Sequence, residues 1–153
     1  MIVALLILHG LLSIALLGAL THQAAALWWP AQRGGQRFVD RFRGRQAVVF
    51  TNAVVVLYVF TFVLGALLYP SYRVDVRVVL EDLQVYAPTG AFELKEHFAA
   101  LGLGLLPAYW YYWRQPAGDF RWTRRLQTAY LALSAWYGFV TGHVLNNLRG
   151  LGT

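Results

Sequence analysis

A chain of 153 residues has room for one domain, and its composition decides the solvent in which that domain folds. Hydrophobic residues make up 58%, aromatic residues 16% and charged residues only 13%, where a soluble domain carries about 25% charged residues. The apolar runs exclude a disordered or nucleic-acid-binding protein despite a net charge of +6, and the lack of cysteine excludes disulfides, iron–sulfur clusters, thiolate zinc sites and covalently attached haem.

The pattern predicts an all-α integral membrane protein, a single domain over 1–153 built as an up-down bundle of four transmembrane helices. The first span covers 2–28. It lacks a basic N-terminal region and exceeds the apolar run of a cleaved signal, so it reads as a retained helix. A loop rich in arginine follows, with Arg33, Arg37, Arg41, Arg43 and Arg45 against Asp40. The second span covers 47–69. In the loop 70–91, residues 72–78 alternate polar and apolar, which predicts a short β-strand lying over the bundle. Pro88, Thr89 and Gly90 read as a turn into the third span, 92–113. A second basic loop holds Arg114, Arg121, Arg124 and Arg125 against Asp119, and the fourth span covers 126–148. Each span approaches the roughly 20 residues that cross a hydrocarbon core, where the backbone must satisfy itself as a helix.

Charge sets the orientation. Nine of the thirteen basic residues fall in the first and third loops, whereas Arg73, Arg77, Lys95 and Arg149 on the other side are offset by Asp75, Glu81, Asp82, Glu93 and Glu96. The positive-inside rule puts those two loops in the cytoplasm and both termini outside. Five of the six tryptophans (Trp28, Trp29, Trp110, Trp113, Trp122) mark the inner boundary as an aromatic belt. The expected location is the inner (cytoplasmic) membrane of a bacterium. The expected partners are the lipid bilayer and other membrane subunits or further copies of the chain, with no nucleic acid.

Ionisable groups inside a span are costly and mark function by default. His9 lies about 12 Å below the N-terminus at 1.5 Å per residue, and His97 and His143 lie one to two turns from the outer ends of their helices. His22 sits alone near the inner boundary and reads as an interfacial hydrogen-bonding residue. Three imidazoles at one level suit haem b, held by axial histidines from facing helices. His97 and His143 match best in depth. His9 is the alternative to either, or a hydrogen-bonding residue at a quinone pocket. Gly102, Gly104, Ala108, Gly138 and Gly142 would make room for the macrocycle, and Arg73, Arg77 and Lys95 would meet its propionates. The expected function is that of a small membrane cytochrome b carrying one haem near the outer face. It would exchange electrons with quinol, alone or as a subunit of a respiratory complex.

Two other readings use the same residues. Glu93, four residues before His97, would complete a non-haem metal site with His9, His97 and His143, although acids at a helix N-terminus are stabilised there anyway. Gly138 and Gly142 form a G-x-x-x-G motif, which suits close helix packing in a cofactor-free accessory subunit.

His9 early in the first helix, the basic first loop and Lys95 near the start of the third helix resemble the four-helix CopD-like membrane family that includes the haem-binding type of protoporphyrinogen oxidase. The resemblance covers about the first half of the chain together with Lys95; segments 69–73 and 93–97 depart from the family pattern. It implies haem at His9, with Lys95 as a polar partner.

Overall fold

The computed structural model describes residues 2–28, 47–116 and 118–150, the side chains of residues 47–48 and 148–150 excepted. Four long helices dominate: α1 (Ile2–Trp28), α2 (Ala47–Ser71), α4 (Tyr86–Arg114) and α5 (Arg121–Gly150). A short helix, α3 (Val78–Asp82), precedes α4. Each long helix packs against the next in chain order, and α5 closes the ring against α1. This is the all-α four-helix bundle that four long apolar stretches joined by short connections predict. Of the four expected spans, two described helices, Ile2–Trp28 and Val49–Asp82, are long and apolar enough to cross a membrane, and α4 and α5 are not apolar enough by the same measure. The arginines of the first loop lie outside the described residues.

The outer segment departs from the sequence expectation. Residues 72–78 form no strand. Tyr72–Arg77 continue α2 as a π-helical stretch that leads into α3. A lone strand would have no neighbour to take its backbone groups, whereas helical continuation satisfies them internally. Pro70, inside the last turn of α2, has no N–H for the Ala66 carbonyl, and the helix widens just beyond it. Arg77 then bonds Glu81 four residues on at 2.6 Å, a helical spacing. The period of two in the sequence reflects an exposed rim on which neither face is deeply buried.

The turn into α4 also sits elsewhere. It falls at Leu83–Val85, and Pro88, Thr89 and Gly90 lie within the first turns of α4, where proline costs no intrahelical bond. Val85 N–H donates to Leu80 O at 2.8 Å and Gln84 N–H to Glu81 O at 2.9 Å, closing α3 through a left-handed residue. That residue is Gln84, with φ of 58°. Gln84→Gly is expected to stabilise the fold by about 1 kcal/mol, since only glycine occupies this region without a Cβ penalty. Thermal unfolding in detergent, monitored by far-ultraviolet circular dichroism, checks it.

Packing divides the bundle along its length. The inner half is solid, with Leu20, Val54, Tyr109 and Leu131 fully buried, and Leu16, Leu106 and Trp113 packed around them. Polar side chains there are paired between helices. Gln23 donates to Thr51 Oγ1 at 3.0 Å, and Trp113 to Thr128 Oγ1 at 3.2 Å. At the inner rim Trp110 and Arg114 both donate to Asn52 Oδ1, at 3.1 and 2.8 Å. Guanidinium groups lie over the indoles there, Arg114 on Trp110 and Arg125 near both Trp28 and Trp122. In the other half Gly10, Gly65, Gly138 and Gly142 interrupt the larger side chains, and it is there that space remains.

Candidate functional site

In the outer half the helices align in layers that can be read from their contacts. His9 of α1 packs on Gly65 of α2, where an added Cβ would stand 3.3 Å from His9 Cε1. Lys95 of α4 packs on Gly138 of α5, whose added Cβ would stand 3.4 Å from Lys95 Cγ. His9, Gly65, Lys95 and Gly138 therefore share a level, one from each helix, and the two glycines let the two long polar side chains lie against helix backbone.

A cavity of about 370 Å3 opens at this level, within the roughly 300–1,000 Å3 of cofactor sites. Its walls are largely apolar. Gly10, Gly65, Gly138 and Gly142 give it breadth, and its polar groups include His9, Lys95 and His143. His9 Nδ1 is buried with no hydrogen-bond partner, the ring having the Thr61 backbone as its polar neighbour on α2. The Lys95 ammonium lies 3.9 Å from the centre of the Phe92 ring, and Phe92 stacks on Tyr72 with centroids 3.7 Å apart. Among the described residues Lys95 makes no salt bridge. His143 stacks flat beside Phe139, and its Nε2 lies 3.2 Å from Asn147 Nδ2.

The remaining candidates lie apart from this group. His97, expected to pair with His143, is exposed on the outer side of α4. Its Nδ1 lies 2.7 Å from Glu93 O, and it lines neither this cavity nor the neighbouring one. Arg77 is held between two carboxylates, Glu81 at 2.6 Å and Glu93 at 2.8 Å, and its guanidinium is raised above its ordinary range, chiefly by the hydrogen bond to Glu81. Arg73 is exposed and donates to the Tyr69 hydroxyl at 3.2 Å. No group of three or more His, Asp or Glu side chains among the described residues is placed to hold a bare metal ion, so the non-haem centre built on Glu93 and three histidines is not assembled. His22, expected at an interface, is buried and stacks on Phe50 at 4.0 Å. The glycines of the G-x-x-x-G motif line the cavity, with Gly138 against Lys95. Gly102 serves the interior packing of Tyr58, and an added Cβ would lie 2.7 Å from Tyr58 Cζ.

The residues that sequence reading ranked low or missed are those beside His9. Ser13, Thr61 and Ser134 form a further polar layer one turn inward, described below. Compared with protein-family models, with curated proteins and with solved structures, the chain matches none.

Proposed function

We propose that the chain is an integral membrane haem protein that transfers electrons near the outer face of the bilayer. The observation that carries this reading is the cavity wall shared by His9, Lys95 and His143, with His9 Nδ1 buried and unpartnered. An orphaned buried imidazole nitrogen costs free energy unless something takes its lone pair or proton. The residues fit a haem b in kind. His9 would hold the iron, with His143 of α5 as the second candidate to hold it. Lys95, a cation with no acidic partner among the described residues, would meet a propionate. Four glycines and apolar side chains would take the flat faces and exclude water. A bound haem supplies a one-electron ferric–ferrous couple. Arg77, neutralised by two glutamates, plays no part in this assignment.

All four long helices cross the membrane in this reading, with both termini outside. Support comes from the lipid-like exterior. Leu101, Leu126 and Leu133 are each more than 60% exposed on α4 and α5, as Leu11 and Leu67 are at about 60% on α1 and α2, and an apolar exterior of this extent needs a bilayer or partner to cover it. The stacked arginines and tryptophans at the other end supply an inner interfacial belt. The resemblance to CopD-like proteins points to the same two residues, His9 and Lys95.

Reduced-minus-oxidised absorption spectra of the purified protein test the reading. A Soret shift with an α band is expected, and a protein purified from haem-replete cells without either would overturn it.

A further inference from the structure

A second cavity of about 390 Å3 adjoins the first and shares His9, Ser13, Gly65, Lys95 and Gly138 with it. It extends inward, and its own polar groups are Glu96, Tyr58, Thr61 and Ser134. The positions follow a simple register. Ser13 stands four residues inward of His9, Thr61 four inward of Gly65, Ala99 four inward of Lys95, and Ser134 four inward of Gly138. A layer of three hydroxyls, with the Ala99 carbonyl on the fourth helix, thus lies four residues, about 6 Å, below the His9–Lys95 layer. Tyr58 reaches into this inner layer from below and donates to Ala99 O at 3.1 Å.

We propose that this second cavity binds the ring of a lipid-soluble quinone or quinol, with the ring oxygens in the two polar layers and the tail in the bilayer. The proposal takes its redox purpose from the haem reading, while its geometry stands independently. Four features select this ligand. First, polar groups sit at two levels about one helical turn apart with apolar side chains between them, which suits a flat ring bearing an oxygen at each end. Second, the outer level offers an ammonium donor, Lys95, beside a carboxylate acceptor, Glu96, and neither forms a salt bridge among the described residues. Lys95, whose ammonium has three N–H donors, would donate to a quinone carbonyl as well as to a propionate, and Glu96 would accept from a quinol hydroxyl, so one pocket serves both redox forms. An anionic lipid headgroup would use the lysine and be repelled by the glutamate.

Third, the Thr61 hydroxyl lines this region buried and without a partner, so a polar ligand atom gains a bond here that the protein leaves unmade. Fourth, the cavity has a side door. Ala66 of α2 and Ala100 of α4 both line it and both are exposed on the bundle exterior, and α2 with α4 is the least extensively packed of the four neighbouring helix pairs. Small residues at the outer (Ala66) and inner (Ala100) levels of the pocket leave an opening to lipid, the phase from which such a ligand comes.

The test is equilibrium binding of ubiquinone-1 and ubiquinol-1 to the full chain in phosphatidylcholine nanodiscs, with haem content measured on the same samples. Saturable binding near one ligand per chain is expected. Ala100→Trp, or Ala66→Trp from the facing helix should the first variant misfold, closes the door and should weaken both ligands at least about tenfold. Glu96→Leu should weaken ubiquinol-1 at least about tenfold and ubiquinone-1 by less than about threefold, because the charged acceptor matters only to the hydroxyl form. Non-saturable uptake, or affinity indifferent to all three substitutions, would overturn the proposal. Haem present with no saturable quinone binding sinks this proposal and spares the haem reading. Quinone bound by a protein without haem spares the pocket and sinks the haem.

Discussion

Replacing His9 by alanine is expected to lower bound haem per chain at least about tenfold, as loss of a direct ligand must exceed the 10–100-fold cost typical of outer-sphere partners. The helical bundle should survive. The imidazole is seated against Gly65 and its Nδ1 has no hydrogen-bond partner, so the fold would lose chiefly the ring's contact with the Thr61 backbone. Its removal enlarges a cavity that already exists and deletes an unsatisfied polar atom, two effects of opposite sign. His97→Ala is the matched control. That ring is exposed and touches its own helix at Glu93 O, so haem content should not change. Heme extraction assays and absorption spectra of both variants, alongside gel filtration and helicity, separate loss of the ligand from loss of the fold. Equal spectra for wild type and His9→Ala would remove His9 from the iron, and loss with His97→Ala in its place would restore the pairing read from depth alone.

The reason depth misdirects lies in helix geometry. Lys95 and His97 stand two residues apart, close in depth but about 200° apart around the axis, and only one can face the bundle interior. The inward stripe of α4 was nevertheless legible in its spacing. Lys95, Ala99, Gly102, Leu106, Tyr109 and Trp113 follow one another at intervals of four and three, the seam of a packed helix, and each is buried or lines a cavity. His97 is off that seam. On α1 the same interval joins His9, Ser13, Leu16 and Leu20. Register therefore selects His9 and Lys95, whereas span-by-span depth admits all three histidines. The helices themselves were plain because four long, mostly apolar stretches joined by short connections leave a helical bundle as the simple solution.

The rim was not legible, and for a physical reason. Over 72–82 most side chains are exposed or half-exposed, so no buried face imposes a period, and local rules compete evenly. What decides is tertiary and local bonding together, through the Arg77 bridge from Glu81 to Glu93 and the stack of Tyr72 on Phe92. The G-x-x-x-G motif shows a related ambiguity. Small residues permit close approach but do not say what approaches. Here a lysine side chain lies on Gly138, inside the bundle, while an added Cβ at Gly142 would meet nothing within 4 Å.

Gly102→Ala and Gly104→Ala should have opposite effects on stability, though the glycines are two residues apart on one helix. Each substitution gains helix propensity worth up to about 1 kcal/mol. At Gly104 nothing lies within 4 Å of the added methyl, so that gain stands and the variant should equal or exceed wild type. At Gly102 the methyl would overlap the Tyr58 hydroxyl and lie 3.3 Å from Leu131 Cδ2. Tyr58 is only 4% exposed and cannot swing aside without giving up its bond to Ala99 O. Overpacking costs about 1–3 kcal/mol, and a lost hydrogen bond adds about 0.5–1.5 kcal/mol, so a net loss of about 1–3 kcal/mol is expected. Reversible unfolding in mixed micelles measures both variants. Tyr58→Phe in the Gly102→Ala chain removes the overlapping oxygen, and the double variant should lose less than the two single losses together. If the two alanines behaved alike, Tyr58 would not be what restricts position 102 to glycine.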